Sequence, residues 1–145
     1  MYEQIHFPYY FFLNAPVIVC YCMQIVLTLQ GKKVEKSDCW SKRGYKIVTT
    51  DTLKIGKCGR NSGGLALLYK LKFDDWISVQ KKSPNFLWFK ISNRYTKTTK
   101  DIYVCGTYIL PYNSPYFRPE VFEELESDIE KFSSHGSILI MGFLL

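Results

Sequence analysis

The strongest constraint on the fold lies in residues 101–142, which have the pattern of a strand, a helix and a second strand. Residues 101–109 (DIYVCGTYI) are apolar or aromatic on both alternating faces, as expected for a central strand. A helix is predicted to begin at Pro119, and residues 137–142 (SILIMG) have the composition of a further apolar strand. A helix that crosses between two strands predicts an α/β or α+β sandwich.

The predicted helix is amphipathic. Its apolar stripe contains Val121, Phe122, Leu125, Ile129 and Phe132. Its acidic residues are Glu120, Glu123, Glu124, Glu126, Asp128 and Glu130. We interpret these acids as a solvated face, because carboxylates that bind a metal must converge in a cleft.

Four shorter segments upstream have the composition of strands. They are residues 44–50, 64–70, 75–79 and 86–91. Residues 81–85, which contain Pro84, are predicted to form the turn between the last two. Residues 94–100 are predicted to be a polar hairpin connection, and the glycines and basic residues of segment 51–63 are typical of a loop.

The cysteines do not predict a metal site. The chain has five cysteines and two histidines, and no two cysteines have the C-x-x-C spacing of a zinc site. Cys105 alternates with apolar neighbours and is predicted to be a small core residue.

The positive charge of the chain is concentrated in one segment. Residues 32–60 contain nine lysines or arginines and three acids, a net charge of +6 that equals the charge of the whole chain. Such a stretch suits a polyanion such as nucleic acid, and a solvated loop with scattered lysines is the alternative. Lys54, Lys57 and Arg60 are the candidate DNA-binding residues of this segment.

The amino-terminal part of the chain has two interpretations. Residues 7–31 carry no charged side chain and are long enough to span a bilayer. Prolines and polar residues interrupt them, so we favour a buried strand at residues 24–29. Residues 1–23 are then an apolar leader without an assigned role, and residues 24–145 form one domain. A single membrane span at residues 7–29 is the alternative.

Four segments occur in the order found in the endonuclease domains of non-LTR (LINE-type) retrotransposons. Residues 60–69 (RNSGGLALLY) resemble their Gly-Gly-rich strand entry, and Phe86–Ile91 resembles the strand that follows. Residues 104–115 (VCGTYILPYNSP) are similar to the strand that carries a tyrosine and its proline loop. Residues 122–142 resemble the helix and strand that lead to a G-D-F-N motif. The chain thus resembles the front half of a domain of the endonuclease/exonuclease/phosphatase family.

This resemblance implies a fold, an activity and a set of site residues. The fold would be an incomplete four-layer α/β/β/α sandwich of the DNase I type, with mostly antiparallel sheets. Family members nick DNA with Mg²⁺, which neutralises developing phosphate charge while water attacks. Tyr108 matches the tyrosine near the scissile phosphate, and Arg60 and Asn61 match a basic loop that faces DNA.

The metal-binding positions depart from the family pattern. Gly31 replaces the glutamate of a Leu-Gln-Glu motif, Phe143 stands at the aspartate of G-D-F-N, and Leu145 stands at its asparagine. Neutral residues of this kind do not ligate a hard cation. The family's final Asp-His pair would lie beyond Leu145.

We therefore expect a truncated, inactive endonuclease-like domain that does not hold Mg²⁺ and contacts DNA through residues 32–60. No small-molecule substrate is predicted. Two alternatives stay open: a small membrane-anchored protein, and an open reading frame whose product has no selected function.

Overall fold

The computed structural model of the chain describes residues 41–50 and 65–144. The elements in these residues are β1 (Tyr45–Thr49), β2 (Ala66–Lys70), a 3-10 helix (Leu71–Trp76), β3 (Ile77–Lys82), β4 (Phe86–Ile91), α1 (Asn93–Thr96), β5 (Ile102–Ile109), α2 (Glu120–Ser133) and β6 (Ser137–Leu144). The leader 1–23, the buried strand predicted at residues 24–29 and the loop 51–63 lie outside the described residues.

The described strands form two sheets. β1 and β2 make an antiparallel two-stranded sheet, and the other four strands make a sheet in the order β3-β4-β5-β6. Its neighbours are antiparallel except β5 and β6, which are parallel and are connected through α2. A parallel pair needs such a long crossover connection. The prediction of a mixed α/β fold with mostly antiparallel sheets is confirmed.

The four-stranded sheet lies between the two-stranded sheet and α2. Successive side chains of a strand point to opposite faces, and here both faces are apolar. One face packs against the two-stranded sheet through Leu65, Leu67, Tyr69, Leu87, Phe89, Ile91 and Val104. The other packs against α2 through Phe86, Trp88, Tyr103, Cys105, Val121 and Phe132. Cys105 is fully buried, as predicted.

β3 differs most from its sequence-based prediction. It begins at Ile77 instead of residue 75, because the preceding six residues form the 3-10 helix. It also continues to Lys82, so the turn is confined to residues 83–85. The pairing with β4 shifts register between Val79 and Lys81, and this bulge sets Lys81 opposite Trp88.

Two residues of α2 differ in burial from their sequence-based predictions. Phe122 is 50% exposed although it was predicted on the apolar stripe, whereas Asp128 is only 6% exposed. The Lys81 ammonium donates to both Asp128 carboxylate oxygens, at 2.8 and 2.7 Å, and lies 3.0 Å from Glu124. A wholly solvated acidic face is therefore the wrong prediction at Asp128, because β3 supplies a cation that had been assigned to a turn.

One further connection carries local structure. The predicted polar connection at residues 94–100 contains α1, whose first turn is capped by the Ser92 hydroxyl accepting from the Arg94 N–H.

No helix in residues 41–50 and 65–144 is long and apolar enough to cross a bilayer. The alternative membrane span at residues 7–29 lies outside the described residues.

β6 extends beyond the predicted strand because Gly142 permits it. Gly142 has φ +150°, and a Cβ at this position would overlap the Thr107 carbonyl of β5. Only glycine tolerates both the dihedral angle and this close approach. The strand therefore continues through Gly142 to Leu144, alongside the end of β5.

Candidate functional site

Tyr108 lies at the carboxyl end of β5, in register with Phe143 of β6. The two strands are parallel, so they end at the same edge of the four-stranded sheet. β4 begins at this edge as well, because Phe86 pairs with Thr107. The edge thus brings together Tyr108 and position 143, the two described positions that the sequence assigned to a site.

The Tyr108 side chain is half-buried and packs against the apolar cluster between the two sheets. Its hydrogen bonds with Asn85 use the main chain. Within the described residues the hydroxyl has no hydrogen-bond partner, so its donor is unused there. The packing itself is also what an ordinary core aromatic residue provides.

Asn85 holds the main chain of Tyr108 at the edge. The Tyr108 N–H donates to the Asn85 carbonyl at 2.9 Å, and the Asn85 side-chain amide donates back to the Tyr108 carbonyl at 3.0 Å. Asn85 is 6% exposed, so these bonds satisfy polar groups that water cannot reach. The sequence identified Asn85 only as the last residue of a turn, and no local pattern indicates a partner on β5.

Arg118 reaches the same edge from the loop that precedes α2. Its guanidinium donates to the Asn85 side-chain oxygen in a long hydrogen bond of 3.4 Å. Arg118 is exposed and forms no salt bridge with the residues that the structure describes. A guanidinium has five N–H donors, so the remaining donors can bind an anion. The sequence did not identify Arg118, because its contact with Asn85 joins residues far apart in the chain.

Two buried polar atoms have no hydrogen-bond partner in the described part of the protein. They are the Trp88 indole nitrogen and the Thr107 hydroxyl. Leaving such a group unsatisfied costs about 1–3 kcal/mol. Thr107 pairs with Phe86 at the edge, so one of the two unsatisfied groups, its hydroxyl, lies next to Tyr108.

The described residues do not fit a divalent cation. Among residues 41–50 and 65–144, no three His, Cys, Asp or Glu side chains converge on a possible metal site. Mg²⁺ requires oxygen ligands in near-octahedral geometry. No catalytic step that uses Mg²⁺ is therefore assigned to these residues. Gly31 and Leu145 lie outside the described part of the chain.

The remaining predicted site residues, Lys54, Lys57, Arg60 and Asn61, also lie outside the described residues. The residues that flank their segment are bonded to each other. The Leu65 N–H donates to the Thr50 hydroxyl at 2.8 Å, and the Thr50 N–H donates to the Leu65 carbonyl at 2.9 Å.

Among known proteins, no family model, no curated protein and no solved structure matches the chain.

Proposed function

We propose that the chain is an endonuclease-like domain of the non-LTR retrotransposon type, which binds DNA and has lost metal-dependent cleavage. The observation that supports this best is the register of Tyr108 with Phe143 at one sheet edge. These positions correspond in the resemblance to a phosphate-contacting tyrosine and a metal-binding aspartate. Residues that are distant in sequence meet in this way at the strand ends where sites of layered folds are built.

The layer order gives independent support for the finer fold. α2, the four-stranded sheet and the two-stranded sheet follow one another as three layers. An α/β/β/α sandwich requires this succession in three of its four layers. We therefore include a DNase I-type α/β/β/α sandwich in the proposal.

The substrate class that fits the edge is a phosphodiester of DNA. The Arg118 guanidinium supplies a positive charge and several donors for phosphate oxygens. The Tyr108 hydroxyl supplies a further donor, and Asn85 positions both residues. In this proposal the chain therefore still binds and orients the DNA phosphodiester. The neutral residues Gly31 and Phe143 in place of carboxylates remove the ligands on which hydrolysis would depend.

The test is a nicking assay combined with a binding assay. The purified 145-residue chain is incubated with supercoiled plasmid in Mg²⁺ and in EDTA, and its affinity for a labelled duplex is measured by fluorescence anisotropy. We expect salt-dependent binding and no nicking. Mg²⁺-dependent nicking that disappears in Tyr108→Ala would contradict the loss of cleavage, and a folded chain without DNA affinity would contradict the binding function.

A further inference from the structure

Within the described residues, the two layers that flank the four-stranded sheet carry opposite charge. α2 contains six acids and one lysine. On the other side of the four-stranded sheet, residues 41–50 and 65–76 contain five lysines or arginines and two acids. Because the sheet separates these layers, the charge of the described residues is distributed asymmetrically across it. A polyanion is attracted to the side of the two-stranded sheet and repelled by α2.

Pairing of β1 with β2 gathers four of these cations at one end of the two-stranded sheet. The Leu71 N–H donates to the Gly44 carbonyl at 2.9 Å, and Tyr45 pairs with Lys70. Two cations precede Gly44 and two flank Leu71, although the groups are far apart in sequence. We call Lys42, Arg43, Lys70 and Lys72 the basic end.

The acids nearby do not neutralise the basic end. Asp74 accepts from the Lys46 ammonium at 2.8 Å and from the Tyr69 hydroxyl at 2.7 Å, so Lys46 already compensates it. Asp75 is the remaining acid of the segment. All four residues of the basic end are exposed, and none forms a salt bridge with another described residue.

The basic end is distinct from the edge that holds Tyr108. The 3-10 helix leads from Lys70 to Ile77, which pairs with Ile91 at the far end of β4. Asn85 immediately precedes the other end of this six-residue strand, which at about 3.4 Å per residue spans roughly 17 Å. Contacts at the two places would therefore involve different phosphates.

We propose that the basic end is a contact surface for the phosphate backbone of duplex DNA. This inference rests on the proposed DNA-binding function and adds a second contact with the duplex, on the side of the two-stranded sheet. Contacts of this kind are independent of base sequence. They are sensitive to salt, because lysines that neutralise phosphates release the counterions condensed on the DNA.

A matched pair of substitutions in the full chain tests the surface. Lys72 and Lys131 are both exposed, and each ammonium lies over the ring of the next residue, at 4.8 Å from Phe73 and 5.3 Å from Phe132. Lys72→Glu and Lys131→Glu therefore change the same charge in similar surroundings on opposite layers. Affinity for a labelled duplex is measured by anisotropy over a range of salt concentrations.

We expect Lys72→Glu to weaken binding about 10-fold at low salt and to reduce the salt slope by about one, with Lys131→Glu within about twofold of the natural chain. Equal effects of both substitutions would overturn the basic end while leaving DNA binding intact. A natural chain that binds no duplex would overturn the proposed function and this surface together. Binding to vesicles of phosphatidylserine and phosphatidylcholine without binding to duplex DNA would have the same meaning. Thermal melting checks folding, and Lys72→Gln repeats the test if Lys72→Glu unfolds.

Discussion

Asn85 and Tyr108 exchange two hydrogen bonds, one from each residue to the other's carbonyl oxygen, at 2.9 and 3.0 Å. The Asn85 side chain is thereby fixed with its oxygen toward Arg118. One buried amide thus couples the end of β5 to the loop before α2.

Asn85→Ala is expected to lower the free energy of unfolding by about 1–3 kcal/mol, because the Tyr108 carbonyl loses the donor that the buried Asn85 side chain supplies. Urea denaturation measures the change. Asn113→Ala is the control, since Asn113 is exposed in the same loop as Arg118. Equal stability of the two variants would contradict a structural role for Asn85.

Arg118→Ala is expected to weaken duplex binding and reduce its salt slope by about one without changing thermal stability, since the guanidinium makes one long hydrogen bond and no described salt bridge. Lys131→Ala removes the same charge from α2 and should leave binding unchanged. Anisotropy titrations at several salt concentrations compare the variants. An unchanged slope for Arg118→Ala would exclude a phosphate contact at the edge.

Gly142→Ala is expected to destabilise the protein by at least about 2 kcal/mol, because the added methyl group meets the Thr107 carbonyl at an unfavourable φ. Gly106→Ala is the matched control on the neighbouring strand. Its Cβ would lie 3.7 Å from the Leu87 carbonyl, an ordinary contact. Urea denaturation should separate the two variants clearly, and similar values would mean that β6 does not approach β5 this closely.

Two threonine-to-valine substitutions are expected to change stability in opposite directions. The Thr107 hydroxyl is buried without a partner in the described residues, so Thr107→Val should be neutral or stabilise by about 1 kcal/mol. The Thr50 hydroxyl accepts from the Leu65 N–H at 2.8 Å, so Thr50→Val should destabilise by about 1–3 kcal/mol. Thermal melting of both variants provides the comparison, and a destabilised Thr107→Val would show that this hydroxyl has a partner.

Alkaline pH is expected to destabilise the fold through Tyr69. Burial, reinforced by the hydrogen bond to Asp74, raises the pKa of Tyr69 from 10.0 to about 12. The folded state thus favours the protonated phenol, and this contribution is complete below pH 10 and lost as the pH rises toward 12. Urea denaturation from neutral to alkaline pH should show a smaller loss for Tyr69→Phe than for the natural chain. Parallel curves would contradict this assignment.

The strands that consist of continuous apolar runs were predicted well from the sequence. β4 has the predicted bounds and β5 begins one residue later, because continuous apolar runs identify strands covered on both faces. β3 was predicted less well, since its bulge between Val79 and Lys81 interrupts the period of two. The burial of Asp128 depends on Lys81, which arrives from another element and leaves no signal in the helical pattern.

Of Tyr108, Asn85 and Arg118, the sequence indicated only the first, through a family resemblance that stays a prediction. Tyr108 was named on that basis, and the structure pairs it with position 143. Asn85 and Arg118 were missed because their hydrogen bonds join residues that are 23 and 33 positions apart. Contacts of this range are set by how strands and loops meet, which local propensity does not encode.

The parallel pairing of β5 with β6 has a consequence for the order of folding. β3, β4 and β5 are neighbours in both chain and sheet, so they can assemble through short connections. β6 reaches β5 only after the chain has passed through α2, and the entropy of closing this longer loop delays the step. The edge that aligns Tyr108 with position 143 is therefore expected to be among the last parts of the sheet to form.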